Sequence, residues 1–348
     1  MFLNSLNTYR GIAILLIVSA HCYSIADVKV DSFSEALFAN LTAGSTFHFI
    51  FISGFLFHHI FVLKDRTTTF LPNKIKRLLI PYTVLSIVPI LLKLSTEPDF
   101  WNTYFPLQED TFLNNYVIPI CLYYVTGAHL VAYWYIPFAM CLFLMYPLHI
   151  RFINWPIKLQ FSVFGILLLI ALFVHRPVDE LNVFQSLVYF TPTYLMGILC
   201  SLYKERVYNI FHKKELYLLL LALGIAAFQA FTGRYDNYQK PMFDYDGLDL
   251  VLLQKTFLCI FFMVFLHRFE SFNNKLLALL ASTSFAIYFI HGYVLQGLFQ
   301  FKRILNYTSD YPWATYFLAW FLLVGVSMAL AIILKKVMPK YSKYISGY

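Results

Sequence analysis

The chain has 348 residues, of which 60% are hydrophobic and only 13% charged, and its formal net charge is +8. A soluble domain carries about 25% charged residues, so this composition excludes an ordinary soluble globular protein. The basic residues gather in alternate loops between apolar runs, which indicates membrane topology and argues against nucleic-acid binding. The runs lack the alternating polarity of membrane barrel strands, so we predict an all-α, polytopic membrane protein.

Apolar runs long enough to cross a bilayer as helices recur along the whole sequence. We predict ten spans, at 10–27, 42–63, 78–94, 128–148, 158–175, 185–203, 216–232, 249–267, 276–300 and 313–334. The apolar stretch 113–125 either lengthens the fourth span or forms a short interfacial or re-entrant helix. No internal repeat is evident, and we expect a single transmembrane domain over residues 1–348.

Lysine and arginine are divided unevenly between the two sets of loops. With an inside N-terminus, 18 of the 26 fall on the cytoplasmic side, seven fall outside, and Lys255 lies within a span. The positive-inside rule therefore places both termini in the cytoplasm and the loops 95–112 and 233–248 outside. We accordingly expect a multi-pass protein of the cytoplasmic (inner) membrane.

The cysteines give no sign of a disulfide framework or a metal site. All five lie in apolar stretches and none forms a CxxC pair: Cys22, Cys121, Cys141, Cys200 and Cys259. We predict that they are reduced, buried, small hydrophobic residues.

The first span carries two ionisable residues on one face. Arg10 stands at its inner edge, and His21 follows eleven residues later. At 100° per residue, eleven positions return to within about 20° of the start, with a rise of roughly 16 Å. Ionisable groups inside a membrane usually face a cavity or a partner, which indicates a polar path into the protein. Taken singly, Arg10 is better explained as a flanking charge and His21 as a satisfied interior histidine.

A basic cluster precedes the third span. Lys74, Lys76 and Arg77 gather near the end of the loop 64–77. Such a cluster either anchors the protein by binding anionic lipid or binds an anionic cytosolic ligand, and charge alone favours the anchor. In the second span, Ser53 lies among aromatic residues and can hydrogen-bond across a helix interface.

Two later spans carry further candidates for a cavity. The fourth opens with Trp134 and Tyr135 near its outer end, where an aromatic belt is the ordinary interpretation. The ninth carries polar residues at helical spacing, which form a stripe: Ser282, Ser284, Tyr288 and His291. A stripe of this kind lines either a helix interface or a cavity.

Five blocks occur in a fixed order: RGIAILLIVSAH, FIFISGFLF, KIKRLLIPY, AYWYIPF and SFAIYFIH. In this order, on a chain with ten predicted spans, they resemble the recurrent blocks of the membrane acyltransferase 3 family from residue 8 to about residue 295. Arg10 and His21 match the family's first-helix pair of an arginine and a histidine. The family's arginine-rich block is matched only in charge, by Lys74, Lys76 and Arg77, since lysine lacks the planar fork of arginine.

The resemblance implies a stand-alone enzyme, without the fused hydrolase-like domain of some relatives, that moves acyl groups onto sugar hydroxyls of surface polysaccharides or glycolipids. It implies an acyl-CoA donor, most often acetyl-CoA, held by the basic cluster, and no metal. His21 would act as general base, with Arg10 holding the donor or the developing negative charge. The cavity would be shaped by Ser53, Trp134, Tyr135, Ser284, Tyr288 and His291. The expected partners are membrane lipid and a glycan or lipid-linked sugar, with no nucleic acid.

Two other classes of function remain open on the sequence alone. Exporters of polysaccharide or small solutes also have about ten helices and a polar central path, although many carry internal symmetry, which is not evident here. A structural or signalling membrane subunit is the third interpretation. The residues do not identify the acceptor sugar, the acyl group, the face on which the acceptor is modified, the oligomeric state, or an acidic partner for His21.

Overall fold

The structure, a computed structural model, describes residues 3–105, 111–272 and 274–348. Helices make up 76% of it, and the described residues contain no β-strand, only an isolated bridge between Arg176 and Gln239. The predicted all-α fold is confirmed. Residues 106–110, within the predicted outer loop 95–112, lie outside the described residues.

The described residues form seventeen α-helices. In chain order these are α1 (Asn4–Ala20), α2 (Cys22–Ile25), α3 (Phe33–Thr42), α4 (Thr46–Leu56), α5 (Thr67–Lys74), α6 (Ile80–Thr96), α7 (Ile118–Thr126), α8 (Tyr135–Leu144), α9 (Tyr146–Ile153), α10 (Ile157–Val174), α11 (Val183–Leu202), α12 (Lys204–Phe211), α13 (Glu215–Phe231), α14 (Leu250–His267), α15 (Lys275–Ile304), α16 (Pro312–Val337) and α17 (Ser342–Ile345). Segments with π-helical geometry follow α4 (Phe57–Val62), join α5 to α6 (Ile75–Leu79) and precede α7 (Leu113–Val117).

Within the described residues, seven helices are long and apolar enough to cross a membrane, or up to nine if each of two bent pairs is one span. The seven are Phe33–Val62, Thr67–Thr96, Ile157–Val174, Val183–Leu202, Leu250–His267, Lys275–Ile304 and Pro312–Val337. The bent pairs are α8 with α9, at 55°, and α12 with α13, at 82°. The predicted span 10–27 corresponds to α1, which is 17 residues long, and α2, which follows it after His21. The polytopic architecture is confirmed, with seven to nine long helices where ten spans were predicted.

Two segments differ locally from the prediction. Most of the predicted loop 64–77 is helical, because α5 runs through a π-helical turn into α6 as one helix of 30 residues. Lysine and arginine are good helix formers, so a basic cluster does not end a helix. Residues 128–134 form turns instead of opening the fourth span, which begins at α8. The stretch 113–125 forms most of a separate short helix, α7 with its π-helical turn, packed against α6.

The centre of the bundle depends on close helix contacts. α1 packs against α4, α14 and α15, and α4 packs along α11. A Cβ atom on Gly54 would collide with the backbone oxygen of Tyr194, and one on Gly197 would collide with that of Phe51. Small residues let membrane helices approach at this distance. The α4–α11 pair therefore forms a tight wall next to α1.

Both described ends of the chain lie at one end of the bundle, which we call the inner end. The backbone N–H of Asn4 donates to the carboxylate of Glu270, in the turn before α15. Near the C-terminus, Gly347 packs against the backbone oxygen of Arg77 and the side chain of Phe285, in the inner half of α15. The inner end therefore contains the segments that the basic residues assigned to the cytoplasm.

Candidate functional site

A cavity of about 350 Å³ lies within the bundle at its inner end. It is walled by α1, α4, the Thr67–Thr96 helix, α8 and α15, so it is built from segments far apart in sequence. Four basic residues line it: Arg10, Arg66, Lys74 and Arg77. Among the described residues that line it, none is Asp or Glu. The cavity is therefore positively charged and suited to an anionic ligand.

The helix that replaces the predicted loop determines which basic residues reach this cavity. Lys74 is half-buried, and its Nζ lies 4.2 Å from the centre of the Phe143 ring, inside the bundle. Arg77 follows within the π-helical turn and lines the cavity from a more exposed position. Lys76 is also exposed, but it is not among the residues that line the cavity. The predicted cluster is thus divided between the two sides of one helix.

The side chain of Arg10, on α1, is held by contacts with α15. Its Nη2 donates to Ser284 Oγ at 2.9 Å, and its guanidinium carbon lies 5.5 Å from the centre of the Phe285 ring. Ser53 and Tyr135 line the same cavity. Arg10, Ser53, Tyr135 and Ser284, which the sequence proposed separately, therefore face one space.

His21 lies beyond this cavity, toward the outer end, beside a second histidine. Its ring centre is 5.5 Å from that of His291, and the two ring planes are tilted by 33°. His291 is fully buried, whereas His21 is half-buried although it lies inside the bundle. In the described part of the chain no side-chain hydrogen bond to His21 is found, and no carboxylate contacts it. No acidic partner of His21 is found among the described residues, and the ring that lies beside it is the imidazole of His291.

Irregular backbone surrounds the two histidines. His21 itself interrupts the helix between α1 and α2. On the other side, a Cβ atom on Gly292 would lie 3.0–3.1 Å from Leu130 and Val131, in the turns 128–134. Ala132 in these turns has φ +67°, a strained conformation for a residue with a Cβ. Non-helical backbone at membrane depth is tolerated where it is buried in protein or lines a cavity, and it marks functional sites.

Tyrosine side chains connect the cavity to the histidine pair. Tyr135, which lines the cavity, has its ring centre 5.6 Å from that of Tyr288, and Tyr288 lies 5.8 Å from His291. The Tyr288 hydroxyl donates to the backbone oxygen of Ala132, so it also fastens the strained turn to α15. The polar stripe predicted on the ninth span is therefore buried from Ser284 to His291, while Ser282 is exposed.

At the outer end, two loops, which we call the outer cover, are joined by an isolated parallel bridge between Arg176 and Gln239. The backbone N–H of Arg176 donates to Tyr238 O at 3.2 Å, and that of Lys240 donates to Arg176 O at 3.1 Å. The buried Arg176 side chain forms an ion pair of 2.6 Å with Glu180 and lies 5.1 Å from the centre of the Trp134 ring. Burial raises the pKa of the Glu180 carboxyl, and the Arg176 charge opposes that rise. Trp134 belongs to this cover instead of the inner cavity, and it is stacked on Phe190.

A family model described as an acyltransferase domain matches residues 3–336. The chain belongs to the acyltransferase 3 family. Because the match spans nearly the whole chain, the resemblance of the five sequence blocks is confirmed, and the protein is an acyltransferase. No curated protein and no solved structure matches this acyltransferase.

The structure thus groups the predicted residues of the acyltransferase into three places. The inner cavity holds Arg10, Ser53, Lys74, Arg77, Tyr135 and Ser284. The histidine pair holds His21 and His291, with Tyr288 against them. Trp134 lies in the outer cover, and Lys76 lies outside the cavity. Their roles in catalysis stay predictions.

Two basic residues that the sequence analysis did not identify as candidates lie in the inner cavity and in the outer cover. Arg66 lines the inner cavity beside Lys74, and Arg176 lies in the outer loops against Trp134. Arg66 lies in the predicted inner loop 64–77, and Arg176 lies directly after the predicted span 158–175, on the outer side. Nothing in the local sequence, Arg176-Pro177 after an apolar span, indicated that the Arg176 side chain is buried.

Across residues 3–105, 111–272 and 274–348, no group of three or more His, Cys, Asp or Glu side chains is placed to hold a metal ion. The five cysteines are free thiols; Cys22, Cys200 and Cys259 are buried as predicted. Cys121 is exposed on α7, so the prediction that every cysteine is buried is wrong there. An apolar run can face lipid as well as protein, and hydrophobicity does not distinguish the two.

Proposed function

We propose that this acyltransferase moves an acyl group, with acetyl as the first candidate, from acyl-CoA to a sugar hydroxyl of a surface polysaccharide or glycolipid precursor. The observation that supports it is the basic cavity at the inner end, where no described lining residue is acidic and where Tyr135 and Tyr288 lead by ring contacts to a histidine pair near the outer end. Acyl-CoA is a cytosolic polyanion, so its phosphates fit a cavity with this charge. The cytoplasmic membrane is the membrane that gives such a cavity access to the cytosol.

The helical spacing of Arg10 and His21 supports separate roles for them. They are about 16 Å apart along α1, too far for both to contact one reacting carbonyl. Arg10 lines the inner cavity, where it serves the donor, with Ser284 holding its guanidinium in place. His21 is left as the group that meets the thioester at the end of the extended pantetheine arm.

The chemical step then needs one base and no further reactant. The sugar oxygen attacks the thioester carbonyl carbon while its proton passes to neutral His21. The C–S bond breaks after the ester C–O bond has formed. The departing thiolate takes the proton from His21, which leaves the free CoA thiol and a neutral imidazole.

A reconstituted assay tests this proposal. The purified protein in liposomes is given acetyl-CoA with a labelled acetyl group on the side of the inner cavity and a panel of glycan acceptors on either side. The expected result is labelled ester on a glycan with wild-type protein and background labelling with His21→Ala. Movement of unmodified glycan across the membrane without ester formation would support the exporter interpretation instead.

A further inference from the structure

We propose that His291 is a positioning residue for His21: its Nε2 accepts a hydrogen bond from His21 and fixes which His21 nitrogen serves as base. The inference rests on the proposed function and deepens it, because it supplies the partner of the base that the sequence lacked. It is carried by the hydrogen bond of His291 Nδ1, by the unpartnered His291 Nε2 among the described residues, and by the distance of the ring from His21.

The tautomer of His291 follows from its one hydrogen bond. His291 Nδ1 lies 3.0 Å from the backbone oxygen of Ile287. A carbonyl oxygen only accepts, so Nδ1 carries the proton and Nε2 carries a lone pair. That Nε2 is buried and has no hydrogen-bond partner among the described residues. A buried acceptor without a partner is costly, which indicates that a donor reaches it at some stage of the reaction.

His21 is the donor that the geometry offers. A hydrogen bond of about 2.9 Å between facing ring nitrogens places the ring centres about 5 Å apart. The observed separation of the ring centres, 5.5 Å, is close to that value, and hydrogen bonds of catalytic groups often tighten when substrate binds. The Tyr288 ring also lies against His291, but its hydroxyl already donates its hydrogen bond to Ala132 O and is not available to His291 Nε2.

This hydrogen bond gives His21 what a base needs: a free lone pair and stabilisation of its protonated form. Its N–H points to His291, so the lone pair of its other nitrogen is free for the sugar hydroxyl. When His21 takes the proton, the bond to Nε2 becomes charge-assisted and stabilises the imidazolium, which no carboxylate among the described residues contacts. The proton returns from His21 to the thiolate, and His291 keeps its own proton throughout.

Two substitutions separate this role from packing. His291→Phe keeps a planar ring and removes the lone pair, whereas His291→Gln restores an acceptor oxygen at similar reach. We expect His291→Phe to lower kcat roughly ten- to a hundredfold with the KM for acyl-CoA within twofold, and His291→Gln to recover part of kcat. The control is His149→Phe, since His149 is a buried histidine with two unpartnered nitrogens outside the cavity and the histidine pair.

Nitrogen NMR of histidine-labelled wild-type protein gives a readout that does not depend on activity. The signal that disappears in either His291 variant should be that of an unprotonated Nε2. A protonated Nε2, an unchanged kcat in His291→Phe, or equal losses in the Phe and Gln variants with only a lower Tm would overturn the inference. Absence of acyl transfer by the wild-type protein would refute the proposed function, and the NMR measurement would still decide the tautomer.

Discussion

Lys74 and Lys76 lie two residues apart but on opposite sides of one helix, so they form a matched pair for testing the inner cavity. Lys74→Met removes a charge that lines the cavity and keeps a flexible chain to pack against Phe143. Lys76→Met removes the same charge from an exposed position outside the cavity. The net charge of the protein and of the segment falls equally in both variants.

The expected magnitudes differ because the surroundings differ. A hydrogen bond to a charged group contributes about 1.5–3 kcal/mol when it is shielded from water, which corresponds to roughly a ten- to 150-fold weaker Kd for Lys74→Met. An exposed charge pair contributes about 1 kcal/mol or less, so Lys76→Met should weaken binding by about fivefold at most. The Lys76 effect should also fall strongly as salt is raised, since exposed charges are screened.

The assay is calorimetric titration of the detergent-purified proteins with acetyl-CoA at two salt concentrations, with Tm measured on the same preparations. Equal losses of affinity for the two variants would show that the segment attracts the donor only through its overall charge. Unchanged affinity in Lys74→Met, with Tm preserved, would show that the cavity does not bind the donor and that the basic cluster acts as a lipid anchor.

Three further predictions follow from other parts of the molecule. His21→Ala should lower turnover per folded molecule by about a hundredfold or more, since positioned proton transfer contributes about 10²–10⁴, while Tm changes little; near-normal turnover would exclude His21 as the base. Gly54→Ala should lower the free energy of unfolding by about 1–3 kcal/mol because its Cβ meets the Tyr194 backbone, whereas Gly224→Ala, with open space around it, should not; equal Tm values would contradict the tight α4–α11 contact. A cysteine placed at residue 243 should react with an impermeant reagent from outside and one at residue 340 should not; the reverse pattern would overturn the orientation.

The relative placement of residues on the first helix and on the last polar stripe could be predicted because it depends on local geometry. Eleven residues return to one face of a helix, so Arg10 and His21 could be placed on a common side from spacing alone. Ser284, Tyr288 and His291 share a face for the same reason. Their grouping into two separate places required the neighbouring helices. Arg66 and Tyr135 reach the inner cavity from segments whose packing no local pattern specifies.

The turns 128–134 show where the sequence misleads. Their apolar composition continues that of α8, so they were predicted as helix. Gly127, with φ +75°, ends α7, and such a glycine is the usual signal for a helix C-terminus. The strained Ala132 carries no comparable signal, because its conformation is held by tertiary contacts such as the hydrogen bond from Tyr288. Trp134 and Tyr135 were consequently assigned to an aromatic belt as the ordinary interpretation, whereas Tyr135 is buried.

The two ends of α1 give the proposed reaction its geometry. The inner end presents Arg10 to a basic cavity, and the outer end of the helix stops at His21. In the proposed reaction, a donor with its phosphates at Arg10 and its thioester at His21 must lie extended along the helix, because the two residues are about 16 Å apart. The proposed reaction then requires the acceptor to arrive from the outer side, where Arg176 lies against Trp134. On the proposed reaction, we expect the outer loops to control the access of the acceptor and the inner cavity to control that of the donor.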